Sequence, residues 1–291
     1  MTPDVCALSN ERSLQRAPAS LSLSKSVRLA LAKDQDPGAA VERAGGVIDP
    51  LGYLDIRPES SVDEAMSRTR SSSGTVAMGR YEASGVEAEF ESGSRRRVLR
   101  NHLGIRRARD MEVAESRALR VAQLAFIERF GPEHRFTARN LCDMHKVWLG
   151  SIYEWAGRYR TVDIGKGGFQ FAHAGRIPDL MTELERGALH RHTPCIAGDD
   201  EQVALALAET HAELMLIHPF RDGNGRLGRL LATLMALQAG LPVLDFRPMY
   251  GKGADAYIAG IHAALSGNYR LMQAVFAMVI AAARRRDRPR V

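Results

Sequence analysis

The stretch His218-Pro219-Phe220-Arg221-Asp222-Gly223-Asn224-Gly225-Arg226-Leu227-Gly228-Arg229 concentrates the side chains that phosphate chemistry uses. Gly223 and Gly225 remove side chains where a helix should begin, so backbone N–H groups can approach an anion; with the positive end of the helix dipole they form a phosphate cradle. Asn224 can donate to a phosphate oxygen or cap the helix. Arg226 and Arg229, three apart, share a helix face, and two planar guanidiniums there suit a polyphosphate. Asp222, acidic in a positive field, suits Mg²⁺ bridging phosphate oxygens. His218 has the only nearby side chain titrating near neutrality and is the natural general base. Each residue also has a plain structural reading: an Asp–Arg salt bridge, a Gly-Asn-Gly turn, a histidine ending a helix. Together, within twelve residues, they make a poor coincidence. The spacing is not that of a Walker loop, which needs Gly-Lys-Ser/Thr after its glycines.

Such a loop must be held by its neighbours. An amphipathic helix over 201–217 (Val203, Leu205, Leu207, Leu214, Ile217) precedes it, and a strongly apolar helix, Leu230 to Leu237, follows and stops at Gly240 and Pro242. Further upstream, Val113, Leu119, Ala122, Leu124 and Ile127 recur at helical spacing across 111–129. Thr137 is a predicted N-cap for a helix through Leu149, with Leu141, Met144, His145 and Trp148 on one face; His145 reads as a satisfied core histidine. Residues 161–173 carry the one β signal, two short alternating runs flanking Gly165, Lys166, Gly167 and Gly168. Helical patterns return at 177–190, 226–239, 254–265 and 269–284. The expected fold is mainly α, with one small β-hairpin.

The twelve-residue stretch resembles the signature of the Fic family, His-x-Phe-x-Asp/Glu-Gly-Asn-Gly-Arg-x-x-Arg, at every defined position. The resemblance extends to Asn101–Ile105, Tyr153–Gly157, Arg160–Asp163 and the Lys166–Phe171 hairpin, most of residues 98–270. It implies a Fic/Fido-type helical bundle with a hairpin flap, and a protein adenylyltransferase moving AMP from ATP onto a Ser, Thr or Tyr hydroxyl of a target protein. His218 would be the catalytic base and Asp222 the Mg²⁺ ligand. Gly223, Asn224 and Gly225 would form the anion hole, with Arg226, Leu227, Gly228 and Arg229 completing the nucleotide-binding loop. Lys166, Gly167, Gly168 and Phe169 of the flap would cover the nucleotide and align the target by strand addition, and Tyr257 would lie near the adenine and ribose. Ala264-Leu265 stands where the family often has Ala-Asn, a departure on the base side. Gly225 argues against the Doc-like kinases, which carry lysine there; UTP, GTP or CDP-choline are alternative donors on this fold.

The bulk composition narrows the rest. A 45% hydrophobic, 25% charged chain of 291 residues is an ordinary globular one, with no apolar run of membrane-spanning length and no secretory signal pattern. Cys6, Cys142 and Cys195 lack ligand spacing and read as reduced thiols, hence a bacterial-type cytoplasm with export as an effector not excluded. The net charge of +6 resides largely in arginine clusters (95–97, 106–109, 284–286). That makes a basic helical nucleic-acid-binding protein the first competing reading, although no recognition motif accompanies the charge. A nucleotide-binding scaffold without transfer is the second. Residues 1–78, rich in Ser, Ala and Arg with Tyr53 their only aromatic, are expected to be a disordered tail with a helix near 24–33. Residues 79–291 are expected to form the Fic-type domain, its core about 137–270. The family's inhibitory motif, whose glutamate pairs with the second motif arginine, finds its nearest match at Ser60–Ala65, where Ala65 replaces Gly or Asn. Inhibition by a separate small antitoxin, as in a toxin–antitoxin pair, or no inhibition of this kind, follows as the expectation, with cell filamentation a family-level consequence.

Overall fold

The computed structural model describes residues 82–83, 89–166, 169–196 and 198–288. The expected tail over 1–78, its helix near 24–33, Glu64 and the turn glycines Gly167 and Gly168 lie outside the described residues. In chain order the elements are β1 (Glu82–Ala83), α1 (Ala108–Arg129), α2 (Ala138–Leu149), β2 (Ile164–Lys166), β3 (Phe169–Gln170), α3 (Ile177–Leu184), α4 (Asp200–Ile217), α5 (Asn224–Gln238), α6 (Ala254–Ala264) and α7 (Arg270–Asp287). The mainly α expectation, with a small antiparallel sheet, is met. No described helix is long and apolar enough to cross a membrane.

Helix ends follow local chemistry. The Thr137 hydroxyl accepts from the Asn140 N–H at 3.1 Å and the Asn140 side chain accepts from the Thr137 N–H at 3.1 Å, a reciprocal cap that starts α2 where predicted. Asp199 caps α4 by accepting from the Gln202 N–H at 2.8 Å. Asp200, in the first turn of α4, binds both Nε and a terminal nitrogen of Arg284, which fixes the end of α7 to the start of α4. Helix α4 is the hub: α5, α6 and α7 all pack on it, while α1 packs on α2.

Two predicted inward faces are corrected in part. On α4, Val203, Leu207, Leu214 and Ile217 are buried, but Leu205 is 39% exposed, because two residues past Val203 is about half a turn, which puts it on the opposite face of the helix. On α1 the buried face runs through Met111, Glu115, Leu119, Ala122 and Phe126. Val113 is therefore 40% exposed and Leu124 only half-buried. A glutamate occupies a position that helical spacing reserves for core.

The hairpin is tighter than the sequence reading. Gly165 belongs to β2, opposite Gln170, and Lys166 faces Phe169 across a two-residue connection. β1 adds an unpredicted third strand, Glu82 opposite Gly165 and Ala83 opposite Ile164.

Candidate active site

His218 terminates α4 in the left-handed region (φ 51°), which turns the chain sharply into the loop. Its Nδ1 lies 2.9 Å from the Met215 carbonyl. A carbonyl only accepts, so Nδ1 carries the proton and the neutral ring's lone pair sits on Nε2. Phe171 stacks on the ring, centroids 3.8 Å apart. Burial is the main cause holding His218 well below its usual range, at about 3, and Lys166 and Arg160 push the same way against the Met215 bond and Asp222. The ring is neutral at pH 7.

From His218 the loop is fastened residue by residue. Asn224, fully buried, accepts from the Phe220 N–H at 2.9 Å and donates to the Phe220 carbonyl at 2.8 Å, so its amide closes the loop on itself. His145 donates from Nε2 to the Asp222 carbonyl at 3.0 Å and accepts at Nδ1 from the Gly157 N–H at 2.9 Å. It also stacks on Phe220 at 4.0 Å, and burial pushes its pKa down to about 4. It is the satisfied core histidine the spacing suggested, and it also anchors the backbone of Asp222. Gly223 caps α5 at φ +83°, and a Cβ there would lie 2.8 Å from the Trp148 ring. Only glycine meets both conditions. The first N–H groups of α5 then point out of the helix end, as helix geometry requires.

The charged residues divide by depth. Asp222, 4% exposed, accepts from the Gly223 N–H at 2.6 Å. Arg226 donates from one terminal nitrogen to Glu115 Oε2 at 2.8 Å, holds the other 3.6 Å from Asp222 Oδ1, and lies over the Trp148 ring at 4.7 Å. Arg229 is 7% exposed and sits over the Tyr250 ring at 5.6 Å, and its Nε meets no hydrogen-bond acceptor among the described residues. Leu227 is buried, with its N–H on the Gly223 carbonyl at 2.9 Å. Gly228 sits at the α4–α5 crossing, where a Cβ would approach Met215 and His211 to 2.8 and 3.0 Å. Gly225 is half-buried.

The flap closes over this loop from the side. Phe169 stacks on His262 of α6 at 5.3 Å and meets Phe171 edge-on at 5.3 Å; Lys166 is half-exposed at the strand end. Arg160 joins flap to loop. It is 2% exposed, donates from Nε to the His218 carbonyl at 2.8 Å, and reaches the carbonyls of Val162, Ala172 and Ile217 with its terminal nitrogens. Tyr257 of α6 bonds His211 of α4 at 3.0 Å, with His211 near Arg229.

The fold thus sets His218 against Phe171 and near Lys166 of the flap, holds residues 222–229 where α4 meets α5, and places Phe169 against α6, with Tyr257 on the α6 side behind Arg229. The sequence reading missed Glu115, and placed Arg160 and Phe171 only within matching segments. Glu115 had a usable signal, a charge in the apolar 111/115/119/122/126 series. Arg160 and Phe171 had none, since their partners are far off in sequence.

The Fic/DOC family profile matches residues 135–236. The chain is 30% identical over 193 residues to the probable protein adenylyltransferase Fic of Salmonella typhimurium, across 64% of this chain and 90% of that relative. It is 32% identical over 143 residues to protein adenylyltransferase VbhT of Bartonella schoenbuchensis, across 49% of this chain and 30% of VbhT. Among solved structures, BepC with bound AMPPNP from Bartonella tribocorum shares the fold, with a TM-score of 0.53 and 21% identity over 67% of this chain and 98% of that one.

Proposed function

The chain belongs to the Fic/DOC family, and from that membership and the geometry above we propose that it transfers AMP from ATP to a Ser, Thr or Tyr hydroxyl of a target protein. The observation that carries the proposal is the pairing of a base-form His218, lone pair on Nε2, with a buried Arg229 whose Nε has no acceptor among the described residues. A buried guanidinium with an unmet N–H is a place where an anionic ligand would be welcome.

The target oxygen attacks the α-phosphorus, its proton passes to His218 Nε2, and the bond from that phosphorus to the bridging oxygen breaks, releasing pyrophosphate. The Nδ1 bond to Met215 keeps the ring aimed and its tautomer fixed. A polyphosphate beside the ring raises its basicity as Asp222 already does. The backbone N–H groups at the start of α5 and the guanidiniums of Arg226 and Arg229 meet the phosphate charge, a largely electrostatic contribution. Asn224 shapes the anion hole through its loop-closing amide, and Leu227 and Gly228 set α5 against α4. Asp222 fits Mg²⁺ in donor chemistry, one hard carboxylate at the phosphate loop. The cation, when bound, neutralises phosphate charge.

Phe169, on the outer strand β3, and Lys166, at the hairpin end of β2, meet the target and the nucleotide, and Tyr257 supports the base side of the nucleotide. Residues 79–291 are read as one Fic-type domain preceded by a tail. A cytoplasmic site of action and a small antitoxin partner complete the reading.

Intact-mass analysis after incubation with ATP and Mg²⁺ tests it, because self-modification needs no known target. The expected result is an added AMP in the wild type and at least about a 100-fold slower reaction in His218→Ala. An adduct forming equally fast in the variant, or only with GTP, UTP or CDP-choline, would overturn the assignment.

A further inference from the structure

The net charge of +6 is concentrated in one stretch. Between residues 95 and 120 nine arginines stand against three carboxylates, Asp110, Glu112 and Glu115, a surplus of six; the rest of the chain is balanced. At about 100° per residue, Arg109, Val113, Arg117 and Arg120 fall within about 80° of one another on α1. They lie opposite its buried face, Met111, Glu115, Leu119 and Ala122. The stripe begins beside a tight turn that the Glu91 N–H closes on the Val98 carbonyl. A Cβ on Gly93 of that turn would lie 3.8 Å from the Arg106 side chain, so the turn carrying Arg95, Arg96 and Arg97 rests against Arg106. Among the described residues Arg95, Arg97, Arg106, Arg107, Arg109 and Arg117 form no ion pair, whereas Arg100 is held by Glu89. Crowding cations here runs against local preference. Arg95 and Arg96 both take left-handed backbone (φ 54° and 60°), which L side chains avoid. Arg107 stands at the N-cap of α1 without a side-chain cap, and Arg109 follows where the helix dipole disfavours cations. Departures of this kind concentrate at functional sites.

We propose that this arginine ridge binds the phosphate backbone of nucleic acid without regard to sequence, as a second binding surface separate from the phosphate loop. The two lie on opposite sides of α1, because Glu115 on the buried face is what meets Arg226. From Arg109 to Arg120 the helix rises about 16 Å, enough to follow about five phosphates of one duplex strand. Guanidinium forks match phosphate oxygens. Other occupants fit less well. Residues 1–81 hold ten acidic and ten basic side chains, so the chain's own N-terminal segment brings no opposing charge. A second copy would set like charges face to face. A protein partner needs a central apolar or aromatic anchor, and a membrane needs an apolar face to bury. The ridge exposes Val113 between Arg109 and Arg117, and no aromatic. Phosphate contacts need cations alone.

Fluorescence anisotropy of a labelled, mixed-sequence DNA duplex of about 20 base pairs, titrated with the full chain without ATP, tests the proposal. Binding in the micromolar range is expected at about 50 mM salt, with log affinity falling against log salt at a slope of about −3.6, the release expected for about four phosphate contacts. Arg109→Gln with Arg117→Gln should weaken binding at least about tenfold and reduce that slope by about 2. Arg270→Gln with Arg285→Gln removes the same charge from exposed positions on α7 and should cost less than about threefold. No binding at about 50 mM salt, an unchanged slope, or equal losses in the two double variants would overturn the ridge as the site. Poly-glutamate and phosphatidylserine vesicles are added as competitors; displacement of the duplex at equal charge concentration would overturn the nucleic-acid assignment in favour of an acidic protein or a membrane. Both positions are exposed on α1, so melting temperatures should match the wild type. Should the double variant fail to fold, Arg117→Gln alone must lower the slope by about 1. Duplex binding and AMP transfer are read separately, so the failure of one leaves the other standing.

Discussion

The phosphate loop and the flap lie on either side of His218, yet they are built in opposite ways. Residues 218–229 run between two helices packed on each other, and nearly every loop group is fastened: His218 by Met215, Phe220 by Asn224, Asp222 by His145, Gly223 by Trp148. The flap is a ladder of two- and three-residue strands with one small apolar cluster, Val162 and Ile164 with Phe171. Phosphate chemistry needs fixed donors. A segment that receives a protein target gains by adapting, and short strands with little buried area open locally at low cost.

Gly223→Ala attacks the rigid side. Left-handed backbone strain adds to a contact with Trp148 shorter than van der Waals distance, for a destabilisation of about 3 kcal/mol. That is roughly a 6–12 °C fall in melting temperature for a domain of this size. A fall under about 2 °C would show that the loop yields where the packing says it cannot.

Arg160→Met attacks the joint between the two regions. It removes buried charged hydrogen bonds to the carbonyls of His218, Ile217, Val162 and Ala172 while keeping much of the volume. A loss of about 2 kcal/mol is expected, with amide exchange rising in the flap and at the end of α4 together. Faster exchange in the flap alone would mean that Arg160 does not couple the two.

Phe169→Ala attacks the flap side only. Phe169 is half-buried against His262 and Phe171, so the melting temperature should move by less than about 2 °C. The KM for a protein target should rise several-fold with kcat little changed. A matching fall in stability would place the flap within the rigid unit and erase the contrast.

Much of this was legible in the letters, for local reasons. The Thr137 cap, the helix stop at Gly240 and the order of helices all follow from neighbours a few residues apart. So does the placing of a polar, glycine-rich loop between two helices. The misreadings were local too. Val113 and Leu205 are apolar but lie off their helical faces, and Gly165 was assigned to a turn that is only two residues long.

The sequence by itself determined the chemical inventory of the site: a base, an acid, two arginines and the glycines between them, at a spacing that one loop and one helix turn can present. Tertiary structure decided how each group is used. Glu115 meets Arg226 across 111 positions, His145 meets Asp222 across 77, and Arg160 meets His218 across 58. The unmet Nε of Arg229 also exists only once α4 and α5 are packed, whereas the Met215 bond that sets the His218 tautomer is local to the end of α4. Periodicity and capping are settled within a few residues along the chain, whereas a charge finds its partner only when folding brings distant segments into the same low-dielectric space.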